Sequence, residues 1–230
     1  FEPRVDGWKL ELPRTGIANI WLSTDYRKNL AGNLRFGSWT SFDDDQYGYW
    51  YSIGPRLRFS DKWLLTYSFD VNNKYNSFGY VESFENVDDD VIIHMGNRDQ
   101  STYTNTINTS YIFNNKASLS FRMRHYWSRV EYTDFHRLLP DGTLSPSIGY
   151  DTYGNSKDLN YNAFTIDMQY LWRFAPGSEL SIVWKNAIYT GSDIIINNFM
   201  DNLENTFAAS QINSISFKIL YYLDYQYLKK

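Results

Sequence analysis

The 230-residue sequence is first informative through what it lacks. It contains no cysteine and only three histidines, and no apolar run approaches the ~20 residues that a transmembrane helix requires. The fold therefore does not depend on disulfide bonds, and no part of this sequence is expected to cross a membrane as a helix. A net charge of −4 gives no support for nucleic-acid binding. The sequence opens at Phe1 without an initiator methionine or a signal-like stretch, so we expect a processed product or a fragment.

Aromatic residues, by contrast, are abundant. They make up 19% of the chain, with 20 Tyr, 15 Phe and 8 Trp, although the mean hydropathy is −0.51. A soluble core draws mostly on Leu, Ile and Val. Aromatic belts combined with alternating polar and apolar residues are typical of membrane β-barrels.

The last strand-like stretch, 211–227, shows this alternation most clearly. Ile215, Phe217 and Ile219 share one parity, whereas Ser216 and Lys218 share the other. Because side chains alternate between the two faces of a strand, one face is apolar and the other is polar. We interpret this as a strand between two different solvents.

Breaks in the pattern divide the sequence into strands. Short breaks lie at 27–29, 60–62, 114–116 and 175–178, and they alternate with longer breaks at 42–48, 84–90, 138–158 and 190–210. The predicted strands are 16–26, 31–42, 48–59, 63–82, 91–113, 117–136, 160–174, 179–189 and 211–227. Residues 8–12 alternate too, so that either they belong to a tenth strand or further strands lie upstream. The stretch 193–203 is either a short amphipathic helix or a loop strand.

The alternation of short and long connections indicates the fold class. Outer-membrane barrels have short periplasmic turns and long extracellular loops. We therefore predict an all-β fold: an antiparallel transmembrane β-barrel of the outer-membrane type with about ten strands, or the C-terminal part of a larger barrel. One domain covers 1–230, with 1–15 as a partial strand or the remnant of an upstream region. The C-terminus is expected in the periplasm. A soluble β-sandwich is the alternative, but its strands would be shorter and its turns would not sort by length.

Aromatic residues beside the short breaks predict a girdle at the periplasmic surface of the bacterial outer membrane. Amphipathic rings at one level, facing lipid, anchor a barrel at such an interface. The predicted girdle consists of Tyr26, Phe59, Trp63, Tyr111, Phe113, Trp172, Phe174, Tyr225 and Tyr227.

The opposite parity of the same strands predicts a basic lumen. Its basic lining consists of Arg35, Arg56, Arg58, Arg122, Arg124, Arg173, Lys185 and Lys218, with Arg27 near a turn. Its acidic partners are Asp70, Asp167 and Asp224, with Asp25 near the same turn. In one interpretation the arginines pair with the aspartates and fill the lumen as a rigid polar plug. In the other, Arg and Lys line a pore that favours anions.

Three stretches carry a resemblance to a known family: 98–132 with RHYWS, 160–186 with FAPGSELS and WKN, and 217–225 with YYLDY. Together they resemble a Bacteroidota family of unknown function, whose members join an N-terminal carbohydrate-binding-like domain to a C-terminal outer-membrane barrel. The resemblance implies the barrel for this chain. It implies no sugar-binding role, because the N-terminal domain is absent from this sequence, and it supplies no catalytic residues. The family barrel is longer, which favours upstream strands.

Few side chains suit catalysis. Asp134 and His136 stand two residues apart on one face, as an Asp–His general-base pair would, but Ser128 lies about 20 Å away along the strand. The acidic stretch 42–48 lacks the spacing of a calcium loop. We therefore predict a non-enzymatic protein without metal or cofactor.

The leading functional hypothesis is a structural or interaction subunit of an envelope assembly, or an anchor for a surface-binding domain. The alternative is a diffusion or uptake pore for small anionic or glycan-derived solutes. The expected partners are outer-membrane lipid, other envelope proteins, and, for a pore, a glycan or small anionic solute. No nucleic-acid partner is expected.

Overall fold

A computed structural model describes residues 3–86, 88, 90–149 and 156–223 of the chain. Its nine strands are β1 (Thr15–Ser23), β2 (Leu30–Ser41), β3 (Tyr47–Ser60), β4 (Trp63–Glu85), β5 (Val91–Asn114), β6 (Ala117–Arg137), β7 (Leu159–Ala175), β8 (Ser178–Ser192) and β9 (Gln211–Leu220). One helix, α1 (Phe199–Ala208), lies between β8 and β9.

The nine strands form one antiparallel sheet in the order of the chain, from β1 to β9. The predicted all-β antiparallel fold is therefore confirmed, and each of the nine predicted strands is present. Among the described residues, β1 and β9 each pair with a single neighbour, so they are the two edges of an open sheet.

Two strand predictions differ from the structure. Residues 8–12 are not a strand, because Trp8 and Leu10 pack instead against the buried cluster of Ile93, Met95 and Leu138. The last strand ends at Leu220 rather than at 227, and residues 224–227 lie outside the described part of the chain.

Connections alternate largely as predicted. Those at 61–62, 115–116 and 176–177 are tight, and those at 138–158 and 193–210 are long. Gly177 is the second residue of the tight connection at 176–177 and has a left-handed conformation, with φ 70°, which suits glycine because it lacks a Cβ atom. Three connections differ: those at 42–46 and 86–90, predicted to be long, are both shorter than the connection at 24–29, which was predicted to be tight.

Strand lengths are uneven across the sheet. β4 and β5 contain 23 and 24 residues, whereas β1 and β9 contain 9 and 10. At the usual rise per residue, β5 is roughly 80 Å long. Since ~9–11 residues span a bilayer, the central strands exceed that length about twofold.

The helix α1 begins at an asparagine cap, because the Asn198 side chain accepts hydrogen bonds from the backbone N–H groups of Met200 and Asp201. No described helix is long and apolar enough to cross a membrane.

Candidate functional site

Cross-strand register divides the sheet into two chemically distinct faces. One set of residues lies opposite one another across the whole sheet, and we call it the "apolar face". It consists of the even-numbered residues of β1, β2, β7 and β8 and the odd-numbered residues of β3, β4, β5, β6 and β9. The remaining parity is the "polar face". This division holds from the tight turns up to the register shift after Lys74 on β4 and up to Trp127 on β6.

Over this part of the nine described strands, the apolar face carries no Asp, Glu, Lys or Arg. Many of its side chains are exposed, including Leu34 at 50% and Phe217 at 69%. Polar groups on this face bond to neighbours on the same face: Tyr67 Oη donates to Asn105 Oδ1 at 2.7 Å, and Trp184 Nε1 donates to Asn213 Oδ1 at 3.1 Å. The apolar face is therefore a broad uncharged band, most of which is not covered by other described parts of the chain.

An aromatic row closes this band at the tight-turn end. The rings of Phe59 and Trp63 stack with centroids 4.2 Å apart, and Trp63 meets Tyr111 edge to face at 6.4 Å. Tyr111 meets Phe113 at 4.9 Å, and Phe113 meets Tyr170 at 6.2 Å. Because aromatic pairs prefer such offset and edge contacts, the row holds its rings at one level. We call it the lower aromatic row.

The other predicted girdle residues are Trp172, Phe174, Tyr26, Tyr225 and Tyr227. Trp172 and Phe174 form a second cluster with Tyr221, with ring distances of 5.7 and 6.3 Å. Tyr26 is not brought together with these rings. Asn33 Nδ2 donates to its hydroxyl at 2.8 Å, and the Arg56 guanidinium lies 5.8 Å from its ring centre, which places Tyr26 against polar-face residues. Tyr225 and Tyr227, like Asp224, lie outside the described residues.

A second aromatic row lies at the other end of the band, and sequence reasoning missed it. Tyr75 stacks on Tyr47 at 4.7 Å and on Tyr49 at 6.2 Å, and Tyr103 stacks on Trp127 at 5.0 Å. We call it the upper aromatic row. A signal was available in β3, where tyrosines recur on the parity of Phe59 about ten residues before it.

At the level of the upper aromatic row, the helix α1 covers the apolar face of β6–β8. Phe199 contacts Trp127, with ring centres 5.9 Å apart, and Phe207 contacts Phe164 at 4.9 Å. The buried Asn202 side chain exchanges hydrogen bonds with Asn162 at 2.7 and 3.0 Å. The helix α1 therefore docks on the sheet through two asparagine side chains that bond to each other and are flanked by aromatic contacts.

A second covering lies over β5 and β6. Ile93, Met95 and Leu138 are fully buried, and Val5 and Trp8 pack on them. The backbone N–H of Glu11 donates to Gly142 O at 2.8 Å and ties this segment to the long connection after β6. Both coverings lie toward the long-loop end of the sheet, and α1 reaches past Trp127 of the upper aromatic row to Phe164, which lies opposite His125.

The polar face carries the predicted lumen cations. Register places Arg35, Arg56, Arg122, Arg124, Lys185 and Lys218 on it, and Arg58 and Arg173 follow the same parity near strand ends. Asp70 and Asp167 lie on the same face. Most of these cations are exposed, whereas Arg56, Arg58 and Asp167 are half-buried.

The predicted Arg–Asp pairing is sparse. Among the described residues, one ion pair joins two strand residues of the predicted lining: Lys185 Nζ lies 3.5 Å from Asp167 Oδ1. Arg27 pairs with Asp25 at 3.0 Å within the first connection. Arg35 and Arg124 lie instead over the rings of Trp50 and Tyr126, at 6.0 and 5.8 Å.

Asp134 and His136 are close together but are held in other contacts. His136 Nε2 lies 3.7 Å from Asp134 Oδ2, and the Ser147 hydroxyl donates to Asp134 Oδ1 at 2.6 Å. His136 Nδ1 lies 2.9 Å from Ser145 O. These bonds fasten the long connection 138–158 to the end of β6.

An open antiparallel sheet with one uncharged and one basic face defines the class of this protein. More particularly, the chain belongs to the family of a domain of unknown function (DUF5916), whose family model matches residues 1–230. No curated protein and no solved structure matches the chain.

Proposed function

We propose that this chain is the wall of an outer-membrane β-barrel that acts without catalysis, as a structural or interaction subunit of an envelope assembly or as an anchor for a surface-binding domain. The observation that carries the proposal is the uncharged apolar face between two aromatic rows. A charged side chain that faces lipid costs about 2–4 kcal/mol near the bilayer midplane, and aromatic rings collect at both membrane surfaces.

The separation of the rows supports this proposal. Tyr49 and Phe59 are ten residues apart on β3, which corresponds to ~33 Å along the strand. A strand tilted by ~40° then spans about 25 Å, the height of the lipid-facing band in such barrels. The covering by Val5 and Trp8 lies beyond the upper aromatic row, whereas α1 covers the upper end of the band on β6–β8.

Single-cysteine labelling tests the proposal, because the natural chain has no cysteine and gives no background. Leu57→Cys lies on the apolar face and Thr104→Cys on the polar face. In lipid vesicles, a water-soluble maleimide is expected to leave Leu57→Cys unlabelled, and the same variant unfolded in urea must react. Equal labelling of Leu57→Cys in folded and unfolded protein would refute a lipid-facing apolar face.

A second candidate function is a pore that favours small anions. The exposed polar-face cations with few acidic partners favour it, since rings of Arg and Lys select anions. Thr104→Cys distinguishes the two candidates: labelling in vesicles indicates a water-filled lumen, and protection indicates a filled one. Single-channel recordings across a salt gradient then give the ion preference.

A further inference from the structure

One cross-strand row of the polar face gathers three cations from three strands. Each residue of the row lies directly opposite the next in the sheet. From β3 to β8 the row consists of Arg56, Thr66, Asn108, Arg122, Asp167 and Lys185. We call it the cation row. The parity of each strand alone does not place these side chains at one level.

The charges in the cation row are only partly balanced. Asp167 pairs with Lys185 at 3.5 Å, and Arg56 Nη1 donates to Tyr26 O at 2.9 Å. Arg122 is exposed, and within the described ranges its guanidinium has no ion pair or side-chain hydrogen bond. Three cations against one carboxylate leave the row with two net positive charges.

Arg122, Asp167 and Lys185 line a hollow of 540 Å³ on the polar face. The neutral polar side chains of Asn108 and Gln169 contribute to the same lining. A guanidinium fork matches an oxyanion with two parallel hydrogen bonds, and an ammonium group adds a compact charge. Amide and hydroxyl groups add neutral donors around the two cations.

We infer that this hollow binds the oxyanion group, phosphate or carboxylate, of a small solute. Arg122 makes the principal contact, Lys185 adds the second positive charge, and Asp167 both positions Lys185 and weakens binding. An anion held between two cations and one carboxylate is bound loosely enough to leave again, as passage along a charged wall requires. The inference rests on the proposed function only in that the polar face is the side turned away from lipid.

Inorganic phosphate is the probe. The full chain, folded in detergent micelles, is titrated at constant ionic strength against chloride, and the phosphorus NMR line width is followed. We expect saturable broadening for the natural chain and at least tenfold weaker binding for Arg122→Gln, the usual scale for losing a charged hydrogen bond. Lys185→Gln is expected to weaken binding as well, and Asp167→Asn is expected to strengthen it.

Arg124→Gln is the matched control. Arg124 lies two residues along the same strand and on the same face, but it does not line the hollow, so this variant is expected to bind phosphate like the natural chain. Equal loss in Arg122→Gln and Arg124→Gln, or no saturable binding at all, would overturn the inference. Folding is followed separately by heat-modifiable gel migration, so that a folded protein that binds no phosphate refutes this site and leaves the barrel proposal standing.

Discussion

The side-chain amides of Asn162 and Asn202 bond to each other in both directions. Asn202 Nδ2 donates to Asn162 Oδ1 at 2.7 Å, and Asn162 Nδ2 donates to Asn202 Oδ1 at 3.0 Å. Asn160 Nδ2 also donates to Asn202 Oδ1, at 3.1 Å. Asn202 is fully buried, so this amide replaces water for two strand residues and fixes α1 on the sheet.

Asn202→Ala is therefore expected to release α1. It removes the acceptor of the buried Asn160 Nδ2 and Asn162 Nδ2 groups, at a cost of about 1–3 kcal/mol for each unpaired group, while Asn160 Oδ1 keeps its bond from Trp127 Nε1. Chymotrypsin, which cleaves after Phe and Leu, should cut α1 faster in this variant. Asn205→Ala, on the exposed side of the same helix, is the control and should be cut like the natural chain. Unchanged cleavage in Asn202→Ala would contradict the docking role of this amide.

The ion pair between Arg14 and Asp43 predicts an acid transition outside the strands. Arg14 Nη2 donates to Asp43 Oδ1 at 2.5 Å, and the Arg14 backbone N–H donates to Asp43 Oδ2 at 2.8 Å. These two bonds lower the pKa of Asp43 to about 2. The pKa of Asp43 in the folded state lies below its unfolded value of about 4. The contribution of the Arg14–Asp43 pair to folding stability is therefore complete above pH ~4 and is lost as the pH falls toward 2.

Carboxyl carbon NMR measures this pKa directly. The Asp43 midpoint should lie near 2 in the natural chain and move toward about 4 in Arg14→Gln. Arg27→Gln removes a comparable exposed pair with Asp25 and should leave the Asp43 midpoint unchanged. A midpoint near 4 in the natural chain would show that the pair does not form in solution.

Removing ring side chains from the lower aromatic row is expected to weaken insertion into the membrane. Replacing Phe59 and Phe113 together by Ala removes two exposed rings from the uncharged band and should destabilise the inserted state by about 1–3 kcal/mol. The fraction folded into vesicles, read from heat-modifiable gel migration, measures this loss. Tyr26→Ala is the control, because Tyr26 lies near the same turns but contacts polar-face residues. An equal loss in Tyr26→Ala would remove the distinction between the two faces.

A side chain at position 37 is expected to disturb packing on the polar face. A Cβ atom at this position would lie 2.1 Å from Trp50 Cζ2, so Gly37→Ala must displace the indole ring that Arg35 approaches. We expect a loss of about 1–3 kcal/mol in unfolding free energy, measured by urea denaturation. At Gly191 the nearest atom, Tyr161 Cδ2, is 3.9 Å away, so Gly191→Ala is expected to be nearly neutral.

Local pattern was enough to predict the strands but not their alignment. Alternation along one strand assigns Arg122 and Lys185 to the polar side, and both are there. Their common level depends on the register of the intervening strand β7, which a single strand's pattern does not encode. Tyr26 shows the same limit, since its place in a connection frees it from the parity of β1 and lets it contact Arg56.

Tertiary contacts explain the remaining differences. Residues 8–12 alternate like a strand, but Trp8 and Leu10 use their apolar side to cover the Ile93 cluster. In the sequence, Asn202 looks like an ordinary polar residue of an amphipathic helix. It is buried because Asn160 and Asn162 on β7 form hydrogen bonds with it. Neither the Ile93 cluster nor the asparagines of β7 can be identified from spacing along the chain, because each lies about 40 residues or more from the residue that it contacts.

The number of strands in the described part of the chain has a consequence of its own, because nine is odd. In a meander that reverses direction at every step, the first and ninth strands point the same way. Joining β1 directly to β9 would therefore create a single parallel seam in an otherwise antiparallel wall. Two copies in the same membrane orientation would meet with the same mismatch at each junction. A seamless antiparallel ring requires an odd number of added strands between these edges, and the strands that pair directly with β1 and with β9 must be oriented opposite to them.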